Sequence, residues 1–525
     1  MIQENIYDRK RAFDLSKIVL LCFCFISPLL FARTSYSYNH ISDSAPNTWY
    51  VRPLSNEHNQ KSDGRTYETA WRGFNSIPWG KGGVSPGDTL IVCGTHHQTL
   101  KVGMSGEKNK LITISGKFDH DPGIIDLPKG TCIIFNDQNF ITFTALTLKN
   151  ATIGIASNTG CNNITVKKCN FYNHSLKGLH LISKNPNSYV EHINVKECEF
   201  VNIGDWGNTG ANSISYGGYS RNTITENCVF LGDKIREGVD GILIVNNIGN
   251  GSNHLIRNCN FNGLEENSID LKHVVESPLK EGKTRIYGNA FSNSNQLEIV
   301  LHMGTQGVEI YRNRFVDGRH AIGLIRHNNT RNDNGNIIVA YNIFGHFSSG
   351  LLTDTHPEGI GNNIFVNNTC GFIGKMNRNN YSIQIATNNW IIKNNIFFLL
   401  SEQKNPYCPI KFTQNVDMQS IDINNNYYSL TKGEIVHRIG RQYFKINQLG
   451  QNELLDGGSQ KLKTIDELNI RKLSNCVDKG EFVAGIHPTI DFDGNPSPSN
   501  NGSLPDIGAQ ELPLPYPFIF KIIKQ

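Results

Sequence analysis

The segment "GLEENSIDLKHV", Gly263 to Val274, carries Glu265, Glu266, Asn267, Asp270, Lys272 and His273 in a chain of which only 18% of residues are charged. Counting from the aromatic residue that closes each preceding phrase brings other ionisable groups into line with it. Lys272 follows Phe261 at the same offset at which His302 follows Phe291 and Arg326 follows Phe315. The residues just before them, Leu271, Leu301 and Ile325, are apolar and point inward in an alternating strand. Lys272, His302 and Arg326 are therefore expected outward in one column, roughly 5 Å between neighbours. Asp270 projects on the same face, and Asp240, which follows Phe230, stacks beside it if the intervening turn holds one extra residue. Carboxylates at that spacing repel unless something positive lies between them. Glu265, Glu266 and Asn267, in the turn entering the strand, supply further oxygens. Asp240, Glu265, Glu266, Asn267 and Asp270 thus form a candidate site for a hard cation, Ca²⁺.

An acidic cluster beside a basic column suits chemistry on an acidic sugar. In β-elimination of a uronate-containing polysaccharide, the carboxylate next to C5 is neutralised, the C5 proton is removed, and the glycosidic oxygen departs. A divalent cation or an arginine supplies the neutralisation. A lysine removes the proton where neighbouring positive charge lowers its pKa, which makes Lys272 the candidate base. His302 and Arg326 are candidates for neutralising charge or protonating the departing oxygen, and His273 and Arg326 for binding substrate.

The elements that position these groups show in a repeat. The phrases "VKKCNF", "VKECEF", "TENCVF", "IRNCNF", "IYGNAF", "IYRNRF", "VAYNIF" and "IKNNIF" end at Phe171, Phe200, Phe230, Phe261, Phe291, Phe315, Phe344 and Phe397. Their intervals are 29, 30, 31, 30, 24, 29 and 53, the last leaving room for a degenerate coil at "VNNTC", and Tyr427 follows 30 later. Short β-type runs with Asn and Gly turns at this period, without helical stretches between them, describe an all-β parallel β-helix, a solenoid whose long face matches an extended polymer. A leucine-rich repeat needs a leucine frame that is absent, and a propeller needs longer blades.

Two residues before each aromatic runs a ladder of Cys169, Cys198, Cys228 and Cys259, then Asn289, Asn313, Asn342 and Asn395. It reads as packed thiols followed by hydrogen-bonded amides, with disulfides as the alternative. The β-helix is expected over residues 48–430, with "YETAWRGFNSI" (Tyr67 to Ile77) as an N-terminal helical cap and 431–525 as an irregular closing segment. "CGTHH" at Cys93 reads as a strand end rather than a metal site, and His180, His346 and His356 have no assigned role.

Residues 1–32 read as a signal peptide, basic residues followed by an apolar stretch ending near Ala32. The chain is then secreted, periplasmic or on the cell surface, with no membrane association after cleavage. Lys and Arg total 50 against 46 Asp and Glu, which gives no electrostatic case for nucleic acid as a partner. The expected partner is an anionic polysaccharide, and the expected state a monomer.

"EENSIDLKH" resembles the Glu-x-Glu-x-x-x-x-Lys strand of the right-handed parallel β-helix polysaccharide lyases of the chondroitinase B and alginate lyase family. "GNAFSNSNQLEIVLHMG" is similar to that family's next coil. The resemblance implies a right-handed β-helix, Glu265 and Asn267 as calcium ligands, and Lys272 as the Brønsted base. Here Asn267 stands for the second glutamate, and His302 and Met303 stand for an Arg-His pair. The run from Asp240 to Asp270 is also similar to calcium-dependent β-helix pectate lyases, which favours Asp240, Glu266, Asn267 and Asp270 as ligands. The rival readings are a uronate C5-epimerase on the same site and a non-catalytic carbohydrate-binding β-helix.

Overall fold

The computed structural model describes residues 46–54, 62–205, 210–233, 238–247, 251–276, 282–326, 334–347, 349–355, 357–372, 381–399, 408–429, 435–439, 442–445, 454–456, 476–484, 486, 490–498 and 504–511. The expected signal segment, His356 and the side chain of His346 fall outside them. Each coil consists of three short strands. Cys161–Lys167, Asn170–Tyr172 and Lys177–Ser183 follow one another, and Val190–Lys196 opens the next coil in register with Cys161–Lys167. Repetition builds three sheets of 15, 14 and 14 strands, here termed first, second and third in the order a coil meets them. Among the described residues the strands pair in parallel, except Ile435–Ile439 with Gln442–Lys445. This is the parallel β-helix that the repeat predicts.

The aromatic row fixes the coil-to-coil register. Phe171, Phe200, Phe230, Phe261, Phe291, Phe315 and Phe344 stack inside with ring centroids 4.5 to 5.1 Å apart. Cys370 of "VNNTC" takes the ring position between Phe344 and Phe397, so that phrase is the degenerate coil. The row ends on Tyr428 rather than the expected Tyr427.

The ladder occupies the tight turn between first and second sheets, where the preceding residue, such as Lys168, Glu197 or Arg312, is left-handed. Asn289, Asn313, Asn342, Asn368, Asn395 and Asn426 are linked from coil to coil. Each side-chain oxygen accepts from the backbone N–H of the previous coil, at 2.9 to 3.0 Å. Stacking thereby satisfies turn amides that would otherwise be buried unpaired. The thiols of Cys169, Cys198, Cys228 and Cys259 donate to carbonyls two residues back, at 3.3 to 3.4 Å. The ten described cysteines are all free and buried, and they form no disulfide.

Two terminal expectations need correction. Residues 67–77 form no α-helix: Trp71–Arg72 is a strand paired with Thr48–Arg52, and Phe74–Ser76 is a single 3₁₀ turn. Gly73, with φ of 73°, breaks the helical pattern, while Trp71 stacks on Trp49. The sheets also run past residue 430, since Ile435–Ile439 pairs with Cys408–Phe412 and Leu454–Asp456 with Tyr427–Ser429. Among the described residues, no helix is long and apolar enough to cross a membrane.

The closing "PDIGAQE" covers the outside of the second sheet. Ile507 packs with Ile343, Ile396 and Phe398, and the N–H of Ala509 donates to Thr369 Oγ1 at 2.9 Å. Glu511 accepts from Ser497 Oγ at 2.6 Å and from the Asp506 N–H at 3.0 Å, and burial pushes its pKa up to about 7. A carboxyl raised on docking stabilises the docked segment at low pH, and that stabilisation is lost as pH rises from the ordinary value of 4.5 through about 7. The difference amounts to ~3 kcal/mol at most. Amide exchange over residues 504–511 is therefore expected to be faster at pH 8 than at pH 6 after correction for intrinsic rates, and Glu511→Gln to remove the difference. An unchanged pH dependence in that variant discards the assignment.

Candidate functional site

The outer face of the third sheet owes its polar rows to a break in strand alternation. A Cβ at Gly178 would lie 2.8 Å from the Phe200 ring, and one at Gly241 would lie 3.1 Å from the Phe261 ring, so these positions face the interior. The next residues, Leu179 and Ile242, are also fully buried in the core. Two successive inward residues throw the one before them outside. Lys177, Asn212, Asp240 and Asn267 thus line up on the outer face, Lys177 paired with Asn212 and Asn212 with Asp240.

These four side chains are linked. Lys177 Nζ donates to Asn212 Oδ1 and, at 3.0 Å, to the Gly210 carbonyl. Asn212 Nδ2 donates to Asp240 Oδ2 at 3.2 Å, and Asn267 Nδ2 donates to Asp240 Oδ1 at 2.9 Å. Burial, then the carboxylates of Asp270 and Glu266, push Asp240 well above the usual carboxylate range. Burial and Asp270 likewise raise Glu266. Glu265 accepts from the Gly238 N–H at 2.7 Å and so ties the two neighbouring turns together.

Beside this row, Asp270 is held between two bases. Lys272 Nζ lies 2.8 Å from Asp270 Oδ2, and His302 Nε2 lies 2.7 Å from Asp270 Oδ1. Lys272 and His302 are register partners on adjacent coils, as the counting predicts. Asp270 is only 3% exposed, so all three groups interact in a poorly solvated setting.

Three expectations are corrected. Arg326 does not continue the column, because His302 pairs with Ile325: the stretch from Phe291 to His302 is longer by one position than that from Phe315 to Ile325. Arg326 instead reaches out, its guanidinium 3.9 Å from Glu358. Asp240 does not stack beside Asp270, whose partner is Leu243. The stretch from Phe230 to Leu243 exceeds that from Phe261 to Asp270 by four positions, where the counting allowed for one. Lys272 is not lowered. Burial alone would lower it, but Asp270, Asp240 and Glu266 outweigh that and hold its pKa above 10.5. His273 sits where the strand ends, with φ of 56°.

No family model matches the chain, and no curated protein matches it. Similar solved structures exist. An alginate lyase from Paenibacillus sp. str. FPU-7 aligns with 14% identity and a TM-score of 0.37, over 58% of this chain and 93% of that one. The PL6 family alginate lyase AlyGC aligns with 13% identity and a TM-score of 0.40, over 65% of this chain and 51% of that one, so the match spans about half its length. A GH136 lacto-N-biosidase from Eubacterium ramulus aligns with 11% identity and a TM-score of 0.41, over 75% and 68%. Alginate lyases, the group that the Gly263–Val274 segment resembles, are thus among the similar structures. Likeness at this level carries nothing about reaction or substrate, which have to be argued from the side chains themselves.

The oxygens fit a hard cation in part. Asn267 Oδ1 is buried without a hydrogen-bond partner, next to an Asp240 whose ionisation is resisted by two other carboxylates. Among the described residues, no three His, Cys, Asp or Glu side chains converge as a ready metal cage. Both Asp240 oxygens accept from the neutral amides of Asn212 and Asn267, so a cation shared by Asp240, Glu266 and the Asn267 amide oxygen would have to displace those amides. Both Asp270 oxygens are engaged by Lys272 and His302, which makes Asp270 a charge partner rather than a ligand.

Lys177 and Asn212 went unmarked in the sequence. The signal that finds them is a polar residue before a small residue and an alternating apolar pair: "KGLHL", "NSISY", "DGILI" and "NSIDL" align Lys177, Asn212, Asp240 and Asn267. Cys93 and its neighbours behave as a strand end, His96 Nε2 lying 3.1 Å from the Cys93 carbonyl while the ring stacks on Phe74. A groove of about 740 Å³ lies elsewhere, on the first sheet, lined by Asn163, His192, Asn194 and Asn222 among others and by no carboxylate or lysine.

Proposed function

We propose that this chain is an exported, monomeric polysaccharide lyase that cleaves an anionic, uronate-containing polysaccharide by β-elimination on the outer face of the third sheet. The observation that carries this reading is the Asp270 carboxylate clamped between Lys272 and His302, beside the buried acid of Asp240, on the outer side of the third sheet of a solenoid. An incoming uronate carboxylate can exchange with Asp270 for the Lys272 ammonium, which holds the sugar and draws charge from C5. When bound, a calcium ion held by Asp240, Glu266 and Asn267, with Glu265 in the adjoining turn, would neutralise the same carboxylate.

The test is turnover of alginate, pectate and chondroitin or dermatan sulfate, with and without a chelator, followed by the absorbance of the unsaturated uronate. One of these polymers is expected to give the product, and Lys272→Ala to lower the rate by ~10²-fold or more. Wild-type turnover in that variant removes Lys272 from the site. A C5-epimerase would instead exchange solvent hydrogen into the polymer without any rise in absorbance.

A further inference from the structure

Lys177 is a half-buried lysine whose bonded partners are the neutral oxygens of Asn212 and Gly210, and no carboxylate among the described residues bonds it. Such burial is costly for a charged amine. An apolar residue fills the paired position on the preceding coil, Ile153, so the fold does not require a cation there. The amine lies at one end of the hydrogen-bonded row that leads through Asn212 to Asp240. We propose that Lys177 is the proton acceptor of this site. The inference rests on the lyase reading and adds the group which that reading leaves unassigned, since Asp270 keeps Lys272 protonated.

In the step assigned to it, the Lys177 Nζ lone pair takes the C5 proton of the uronate. The C5–H electron pair becomes the C4=C5 double bond, and the C4–O bond breaks. The departing oxygen keeps that bond's electrons and takes a proton from water, and Lys177 returns its own proton to solvent. The surroundings suit the role. Burial lowers the Lys177 pKa to about 8, Asp240 opposing and Lys272 reinforcing the shift. His180, outward on the same strand, is itself brought down to about 4 by burial and by Lys177, so it adds no positive charge near neutral pH. A cation that neutralised Asp240 would move Lys177 further in the same direction. A base that titrates near working pH is the most effective one.

The test uses the full chain and two measurements. The first is competitive acetylation across pH 6 to 11, read lysine by lysine by mass spectrometry. Lys177 is expected to react with a midpoint near 8 and to be shielded ~5-fold or more by uronate oligosaccharide, as a site group buried under substrate would be. A midpoint at the ordinary lysine value, or no shielding, overturns the inference whatever the activity. The second is turnover in Lys177→Arg and Lys177→Met, with KM and kcat separated. Lys177→Arg keeps the charge but cannot accept a proton, so kcat should fall ~10²-fold or more while KM moves little. Wild-type kcat in Lys177→Arg overturns the role and leaves the lyase reading standing. Absence of turnover on every polymer overturns both.

Discussion

Replacing Asp270 with alanine is expected to cost about 3–5 kcal/mol of stability, because it strands two basic groups in a poorly solvated site. Lys272 and His302 each lose the oxygen they now reach at 2.8 and 2.7 Å, and both remain covered by neighbouring coils. Asp270→Asn keeps the shape and one acceptor, and should lose less. The pH dependence carries a definite sign. Lys272 is raised by folding, so its contribution is complete below 10.5 and fades only as pH climbs through the higher folded value. Urea denaturation at pH 7 and pH 11 should therefore separate wild type from Asp270→Ala by less at the alkaline end. Turnover should fall with stability in this variant, by ~10³-fold, since the same carboxylate orders Lys272 and His302 at the reaction face. A loss under about 1 kcal/mol at pH 7, the range of an exposed ion pair, would mean that Asp270 is not the carboxylate holding the site together.

How far such a site can be read from sequence depends on which turn is being counted across. The turn from first to second sheet is short and left-handed in coil after coil, as at Lys168, Glu197, Asn227 and Asn258. Counting along the aromatics and the ladder therefore places every coil from Phe171 to Phe344, and even the degenerate one. The turn from second to third sheet varies: the path from Phe200 to Asn212 is twice as long as that from Phe171 to Lys177, although both ends stack on each other. Offsets from the aromatic survive only where neighbouring turns happen to be equal. They are equal between Phe261 and Phe291, so Lys272 and His302 align. They differ by one at Phe315, which puts Ile325 where Arg326 was expected, and by four at Phe230, which moves Asp240 to Asn267. Strict alternation misleads too, because the doubled inward step at Gly178–Leu179 and Gly241–Ile242 turns the preceding polar residue outward. The sign of the Lys272 shift was not legible at all, since it depends on which charge lies nearest rather than on spacing.

Phe261→Ala is the second substitution with a large expected effect, and it ties scaffold to site. The ring has no exposure and stacks on Phe230 at 4.5 Å and on Phe291 at 5.0 Å, so truncation removes contacts on both sides of one coil. A buried Phe to Ala change costs about 3–5 kcal/mol where the cavity cannot collapse. Collapse is restrained here because the ladder pins the backbone beside the ring, the Cys259 N–H donating to Asn289 Oδ1 on the next coil. In a solenoid each coil is stabilised mainly by its nearest neighbours, so the loss should be local. Amide exchange is expected to speed up across the strands of residues 229–231, 260–262 and 290–292, while those beyond Phe344 keep their protection. The strand Asn267–Lys272 follows Phe261 directly in the same coil. Loosening it frees Asp270 from its contact with His302, and turnover should fall even though no group at the reaction face has changed. Uniform exchange along the whole solenoid would instead show a single cooperative unit, and would break the link between this ring and the pairing of Lys272 with His302.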